Sequence, residues 1–416
     1  MSSRILYLVK APVPASIEEE KKGLYPPLGL LYLSSIAKAH GFQVKVFDLD
    51  VMPTDRLIEE FLRDKPLIVG FTTVTPSYNM TVKLIKLLKE LNPNVITVVG
   101  GPHVTLVPED FKGIADVIVV GEGENALGKV LDDVERLRNQ NNKSILIEGG
   151  IVDDLDSLPL PDRDVIDLSV FGENAGAIMT SRGCPYNCLF CVVRFIMGRR
   201  FRYRSPDNVL REWRLLKFKY KVPKVKIIDD VFTFDRDRAL KIINEVKEEG
   251  LGPWSLPNGI RIDNVDLKLL EAMAESECTT IWYGIESGDQ KVVNILRKGI
   301  RLEQAEQVIR WTKNVGIRVG LFFMVGAPGE TLSSVYKTIE FIERVEPDYV
   351  HFSIATPYPN TDFWRWVEEH GRFLTRDYSH FEREFIFETP EYPLKDRLKA
   401  IEIIEKELGG KYMIEF

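Results

Sequence analysis

The 416-residue sequence predicts an α/β protein made of two successive parallel-sheet units and a short cap. Three observations carry this reading. Short apolar strands alternate with helical stretches from residue 1 to about residue 150, as in a parallel sheet covered on both faces. The alternation stops in an Asp- and Pro-rich stretch, 151–172, and restarts near Ala175. It then runs through six strand–helix repeats and ends in a tail with one amphipathic run. The expected divisions are 1–150, a linker at 151–173, a barrel segment at 174–358 and a cap at 359–416.

In the first unit, 5–9 reads as a strand. Pro26-Pro27 opens a helix over 28–40, which Gly41 closes. A strand at 44–47, a helix at 54–63, a strand at 67–71 and a helix at 78–91 follow, the last stopped by Asn92-Pro93. Strands at 95–99 and 117–120 complete the expected sheet. Three loops follow strand C-termini, where open α/β sheets bind ligands. They are Thr72–Tyr78, Gly100-Gly101-Pro102-His103-Val104-Thr105 and Gly121-Glu122-Gly123-Glu124. Paired glycines let a bulky ligand approach the backbone. Gly121-x-Gly123-x-x-Ala126 also has the letters of a dinucleotide fingerprint, but it follows a late strand, and a tight turn before a helix explains it better.

The Asp/Pro stretch suits an ordered, extended crossover. In the second unit, strands are expected at 177–180, 225–229, 254–258, 280–285, 317–325 and 349–355, with helices at 206–220, 236–249 and 302–315 among them. The tail carries a helix at 394–408, ended by Gly409-Gly410.

Lys and Arg number 55 against 62 Asp and Glu, a net charge of −7, which argues against a general nucleic-acid binder. A hydrophobic fraction of 44% can bury a sizeable core. Residues 1–10 lack signal-peptide architecture, and no run is apolar enough to span a bilayer, so a cytoplasmic location is expected.

The chemistry starts at Ser181-Arg182-Gly183-Cys184-Pro185-Tyr186-Asn187-Cys188-Leu189-Phe190-Cys191, which holds three of the four cysteines. Three thiolates so spaced can hold three irons of a [4Fe–4S] cube, leaving the fourth iron an open position. An open iron can chelate the amino and carboxylate groups of S-adenosylmethionine (SAM) and pass one electron to its sulfonium. Structural zinc wants four ligands, and here the fourth thiol, Cys278, is far off and no His is near. Tight spacing in a long chain also argues against a disulfide. Cys278 reads as an ordinary buried thiol.

In barrels of this kind, chemistry sits at strand C-termini. The loops there are Asp229-Asp230-Val231-Phe232, Asn258-Gly259-Ile260-Arg261, Gly284-Ile285-Glu286-Ser287-Gly288 and Gly326-Ala327-Pro328-Gly329-Glu330-Thr331. Asp230 has a competing reading as a helix N-cap, and Glu330 as a cap of the next helix. The basic run 197–206, with interleaved aromatics, reads as a structural clamp rather than a nucleic-acid patch. His351, Trp282, Tyr283 and Tyr358 are either core or cavity lining.

Taken together, Tyr25-Pro26-Pro27-Leu28-Gly29-Leu30-Leu31-Tyr32-Leu33, GGPHVT at 100–105, GEGE at 121–124 and the later CxxxCxxC resemble the cobalamin-dependent (class B) radical SAM methyltransferase family over nearly the whole chain. The resemblance implies an N-terminal Rossmann-like cobalamin-binding domain, then a partial (βα)6 radical SAM barrel and a short C-terminal cap. It assigns cobalamin contacts to Thr73, Ser77, Tyr78, Gly100, Gly101, His103, Gly121, Glu122 and Gly123. Phe190 matches the usual aromatic before the last cysteine. Asp230 would lie near the SAM ammonium and Arg261 near its carboxylate. Glu286 and Ser287 would face its polar end or ribose, and the Gly326 turn would border adenine. The DxHxxG motif that supplies a cobalt-binding histidine is absent, so His103 is expected as a loop contact or cap and not as a cobalt ligand.

The implied reaction is methylation of an unactivated carbon, with one SAM methylating cobalamin and another cleaved at the cluster. The compact chain is similar to members that methylate a glutamine Cα of methyl-coenzyme M reductase, a post-translational modification. This implies a protein or peptide substrate, an external one-electron reductant and an anaerobic setting. Methylation of a small metabolite or lipid, or a non-methylating cyclase, is the alternative. A cobalamin carrier or electron-transfer module is disfavoured because no fourth local thiolate completes a cluster. A methylthiotransferase is disfavoured because three further N-terminal cysteines are missing.

Overall fold

A computed structural model describes residues 4–13, 24–138 and 144–412. The chain divides into two compact units, residues 1–175 with 195–198, and residues 176–194 with 199–416.

The first unit is built on six parallel strands, β1 (Ile5–Lys10), β2 (Gln43–Asp48), β3 (Ile68–Thr72), β4 (Ile96–Gly100), β5 (Val117–Gly121) and β6 (Ile145–Gly150). Their order is β2-β1-β3-β4-β5-β6, so the winding reverses between β1 and β3. The helices are α1 (Leu28–Ala39), α2 (Thr54–Asp64), α3 (Tyr78–Leu91), the short α4 (Pro102–Leu106), α5 (Gly123–Asp132) and α6 (Val134–Arg138). Side chains alternate between the faces of a strand. Tyr7, Val9, Val69, Phe71 and Val99 therefore share one face, packed on Leu57, Phe61, Leu84 and Leu88 of α2 and α3. Leu6, Leu8, Ile68, Gly70, Val98 and Gly100 take the other face, toward α1 and α5.

Two features differ from the sequence expectation. The sheet has a sixth strand, β6, whose residues are mostly half-buried or exposed, so the edge lacks the apolar run that marks its neighbours. The Asp/Pro stretch is a series of 3₁₀ turns, including Leu155–Ser157 and Arg163–Val165, not an extended crossover. Asp nucleates turns through its own side chain, and Asp154 accepts from the Asp156 N–H. Bonds from Ser34 Oγ to Asp162 (2.6 Å) and Ser35 Oγ to the Leu160 carbonyl (2.6 Å) stitch the segment to α1.

The second unit starts with β7 (Ala177–Ile178) and a short antiparallel pair, β8 (Ser181–Arg182) and β9 (Arg202–Tyr203). The one-turn α7 (Val193–Ile196) lies between β8 and β9 in the chain. Then follow α8 (Pro206–Arg214), β10 (Val225–Ile227), α9 (Arg236–Glu248), β11 (Trp254–Ile260), α10 (Leu267–Glu275) and β12 (Cys278–Glu286). The unit continues with α11 (Gln290–Ile295), α12 (Leu302–Asn314), β13 (Arg318–Val325), α13 (Leu332–Val345) and β14 (Tyr349–Ile354). The strands pair in parallel in the order β14-β13-β12-β11-β10-β7, the succession of a partial (βα)6 barrel. The cap adds α14 (Asp362–His370), a small pair β15 (Arg372–Phe373) and β16 (Phe387–Glu388), and α15 (Leu394–Leu408). The last four residues of the cap lie outside the described residues.

N-caps set where the barrel helices begin. The side chains of Asp235, Asp266, Asp289 and Thr331 accept from the first turns of α9, α10, α11 and α13. The helix expected over 206–220 is α-helical only to Arg214 and finishes as a π turn, Leu215–Lys219. In the basic run, Arg202 and Arg204 are buried, and Arg204 pairs with Glu212 (2.5 Å) and donates to the Met179 carbonyl (3.0 Å). These two arginines act as an internal clamp. Among the described residues no helix is long and apolar enough to cross a membrane.

Candidate active site

The second unit holds a cavity of about 620 Å³ at the C-terminal ends of its strands. Gly183, at φ 83°, turns the chain out of β8 and into the cysteine loop, a conformation that glycine adopts without strain. Leu189 is buried and its N–H donates to the Leu296 carbonyl (2.9 Å), which pins the loop at its middle. Cys184, Cys188 and Cys191, all free thiols, then line the cavity. Phe190 also lines it and packs on the apolar cluster of Met324, Ala355 and Phe381. Cys278 is buried elsewhere, with its sulfur 4.0 Å from the Thr280 carbonyl.

The two aspartates after β10 divide their work. Asp229 is buried and accepts from the Thr180 N–H (2.5 Å) and the Ser181 hydroxyl (2.6 Å), fixing the chain that leads to Cys184. Asp230 faces the other way, into the cavity. Burial, and then the Asp229 charge, push its carboxyl up to about 7. It caps no helix; Asp235 does that for α9.

Arg261 is clamped by Asp263 (3.0 and 2.7 Å) and by the Lys298 carbonyl (2.8 Å), with its guanidinium 3.6 Å from the Tyr186 ring centre. Its Nη1 lies 3.9 Å from the Cys188 sulfur. Lys298 is buried and pairs with Glu286 (2.6 Å). Burial pulls Lys298 down, but Glu286 and the Cys188 sulfur outweigh it, so the ammonium stays above its ordinary range. Glu286 is held at φ 73°, a strained conformation for a non-glycine residue.

Two expected residues do not reach this cavity. Ser287 is fully buried and its hydroxyl caps the Asp289 N–H (3.1 Å) beside Thr338, because the chain has already turned inward after Glu286. Gly326 is walled off: a Cβ there would meet Arg397 at 2.6 Å and Phe385 at 2.9 Å. Glu330 is not the cap of α13; its buried carboxylate closes the turn by accepting from the Gly326 and Ala327 N–H groups (2.6 and 3.2 Å). His351 and Tyr358 line the cavity, whereas Trp282 stacks on Tyr349 and Tyr283 is core.

Sequence reasoning missed two charged wall residues. Lys298 sits in an otherwise ordinary loop and gains meaning only through Glu286. Glu382, from the cap, is at φ 67°, accepts from the Tyr358 hydroxyl, and its N–H donates to Thr356 Oγ1 (3.2 Å). Burial and that carboxylate push the Tyr358 phenol well above its ordinary range.

The first unit has its own narrow cavity, about 150 Å³, between the sheet and α1 and α5. Leucines and valines line it, with Gly29, Gly70, Gly100, Gly101, Gly121 and Gly123 where side chains would fill it. A Cβ on Gly29 would meet nothing within 4 Å, so the space beside α1 is open. A flat, largely apolar group fits such a slot. Glu122 turns away and accepts from the Val152 N–H (2.6 Å). Thr73, Ser77 and His103 are buried, and neither they nor Tyr78 line the slot. His103 Nδ1 lies 3.2 Å from Thr75 Oγ1 and Nε2 lies 3.4 Å from Asp110, with the Tyr78 ring 5.1 Å away. Burial pulls its pKa down to about 4, so the ring is neutral and locked into local packing.

Residues 19–131 match the B12 binding domain and residues 178–342 match the Radical SAM superfamily. An uncharacterized methyltransferase of Pyrococcus horikoshii, PH0819, is 31% identical over 399 residues, covering 90% of this chain and 86% of that protein. The chain belongs to the cobalamin-dependent radical SAM methyltransferase family. Its cofactors are accordingly a [4Fe–4S] cluster, SAM and cobalamin. The anaerobic magnesium-protoporphyrin IX monomethyl ester cyclase of Rubrivivax gelatinosus is 27% identical, covering 83% of this chain and 67% of that protein. Among solved structures, the radical SAM methyltransferase TsrM of Kitasatospora setae, with tryptophan and a SAM analogue bound, superposes with a TM-score of 0.76. At 18% identity, over 98% of this chain and 89% of that one, the likeness is one of fold.

The residues present suit these groups. Cys184, Cys188 and Cys191 line one cavity and Cys278 does not, and among the described residues no group of three His, Cys, Asp or Glu side chains is arranged to hold a single metal ion. That is the donor set of a cluster with one open corner.

Proposed function

We propose that the enzyme methylates an unactivated carbon of a peptidyl glutamine, at Cα. The observation that carries the proposal is the composition of one cavity wall by wall. Three cysteines, Asp230, Arg261 and the Glu286–Lys298 pair line this space together, and Tyr358 and Glu382 line it from the loop after β14 and from the cap. When bound, the cluster and SAM supply an adenosyl radical and cobalamin supplies the methyl group.

The chain's own residues then have separable tasks. Cys184, Cys188 and Cys191 hold the cluster. Asp230, which forms no hydrogen bond or ion pair among the described residues, accepts from the SAM ammonium, whose charge favours the ionised carboxylate. Arg261, already aligned by Asp263, reaches the SAM carboxylate, and Lys298 and Glu286 fix the polar end of SAM. Gly100, Gly101, Gly121 and Gly123 border the cobalamin nucleotide tail, and Thr73, Ser77, Tyr78, Glu122 and His103 shape that loop region from behind. Glu382, and Tyr358 through its hydroxyl oxygen, offer acceptors to the amide N–H groups of a peptide.

The test is anaerobic reconstitution with iron, sulfide and cobalamin, followed by mass spectrometry of SAM products in the presence of glutamine-containing peptides. S-adenosylhomocysteine, 5′-deoxyadenosine and a peptide heavier by one methylene are expected together. Deoxyadenosine without S-adenosylhomocysteine would favour a cyclase. Methylation confined to metabolites would overturn the peptide reading. Replacing all three cluster cysteines by Ala is expected to abolish deoxyadenosine.

A further inference from the structure

The cysteine loop, 183–192, contains no helix or strand, and side chains from the cap help to tie it down. Asn187, between Cys184 and Cys188, accepts through Oδ1 from Arg194 and from Arg199 Nη2 (2.9 Å). Arg194 follows Cys191 by three residues. Its Nη1 serves Asn187, and its Nη2 pairs with Asp362, the first residue of α14. The Arg194 and Asp362 side chains are only 10% and 20% exposed, so water screens this pair less than an ordinary surface pair. One planar guanidinium thus bridges the cap and the cysteine loop.

Asp362 also reaches the other support of the loop. It pairs with Arg297 (3.3 Å), the neighbour of Leu296, whose carbonyl receives the Leu189 N–H (2.9 Å). Arg365, one turn along α14, pairs with the same carboxylate (2.5 Å) and is exposed. Packing runs alongside the charges. Phe190, between Cys188 and Cys191, packs against the apolar cluster that contains Phe363 of α14 and Phe381 of the cap. The start of α14 therefore engages the loop twice, by charge at Asp362 and through the apolar cluster at Phe363.

We propose that Asp362 is a positioning residue for the cluster. Acting through Arg194 and Asn187, it fixes the loop that spaces Cys184, Cys188 and Cys191. The inference rests on the reading that these three cysteines hold the cluster. Three thiolates on an irregular loop keep hold of a cube only while their separations stay fixed, and partners behind the ligands fix them. The carboxylate aligns the guanidinium, and the guanidinium holds the Asn187 amide. The cap thus reaches the cysteine loop at Asp362 as well as the cavity wall at Glu382.

The test measures anaerobic release of iron to the chelator ferrozine from the reconstituted full-length enzyme. Asp362→Asn is expected to release iron about tenfold faster than the native enzyme, the loss that partners behind metal ligands commonly cause. Asp362→Glu, which keeps the charge, recovers most of the native rate. Asn187→Ala, at an exposed position, is expected to release iron at least about threefold faster. The double variant is no faster than Asp362→Asn, because both residues act through Arg194. Arg365→Gln, which touches the carboxylate but not the loop, keeps the native rate. Should Asp362→Asn not fold, Arg194→Lys decides: it keeps the charge opposite Asp362, loses the fork that also reaches Asn187, and is expected to release iron at least about threefold faster. Equal release from the native enzyme and these variants overturns the proposal. So does a double variant in which the two effects multiply, or an Asp362→Glu enzyme as fast as Asp362→Asn. Full iron uptake by the triple Cys→Ala variant would instead overturn the cluster assignment, and this proposal with it.

Discussion

Replacing Lys298 with Met isolates the electrostatics of the candidate site. Lys298 and Glu286 are 2.6 Å apart, and each side chain is only 9% exposed. Removing one member of a buried ion pair strands the other charge without water or partner, which costs about 3–5 kcal/mol. Methionine nearly preserves the volume and flexibility of the lysine stem, so little of that cost is packing. In a unit of this size each kcal/mol moves the midpoint by about 2–4 °C, so its thermal transition should fall by roughly 6–20 °C. The double variant Lys298→Met with Glu286→Gln removes both charges and should recover most of the loss. The assay is anaerobic differential scanning calorimetry of the cluster-free protein, read on the transition of the second unit, because two units need not melt together. A loss below about 1 kcal/mol in the single variant, the range of a solvent-screened pair, would refute the argument.

Other outcomes follow from the same geometry. The raised Asp230 carboxyl makes the folded state bind its proton more tightly than the unfolded chain, so the contribution of this group to stability is full below its ordinary carboxylate range and is lost as pH rises toward about 7. The slope is about 1.4 kcal/mol per pH unit in that window, and Asp230→Asn should flatten it in urea titrations of the cluster-free protein. Gly29→Phe projects a ring into the open side of the 150 Å³ slot, and should lower cobalamin retention on gel filtration at least about tenfold while circular dichroism stays native. Glu382→Gln keeps the shape of the cap but weakens its acceptor, and should slow methylated product at least about tenfold with deoxyadenosine formation retained.

Much of the fold was legible because the strands announce themselves. In both units they are apolar runs broken by turn residues, and their buried faces leave periodic traces such as Leu6 and Leu8, or Tyr7 and Val9. The edge strand β6 was not legible, since its half-exposed residues carry no such run. The cysteine triplet was legible because its short spacing confines three thiols to one loop, and all three line the same cavity. Lys298 and Glu382 left no comparable trace. Their roles come from partners 12 and 24 residues away, Glu286 and Tyr358.

The sequence by itself determined the order of the two α/β units, the close spacing of the three loop cysteines and the glycine loops at strand ends. Each of these is written in local spacing or local composition, and the local chain can satisfy it alone. Only the tertiary structure decided which polar residues meet the cavity. It turned Asp230 in and Asp229 away, buried Ser287 against Thr338, closed off Gly326 behind Arg397 and brought Glu382 in from the cap. The reason is physical: a side chain's direction at a strand end depends on backbone turns of one or two residues, and its partner depends on how distant segments pack.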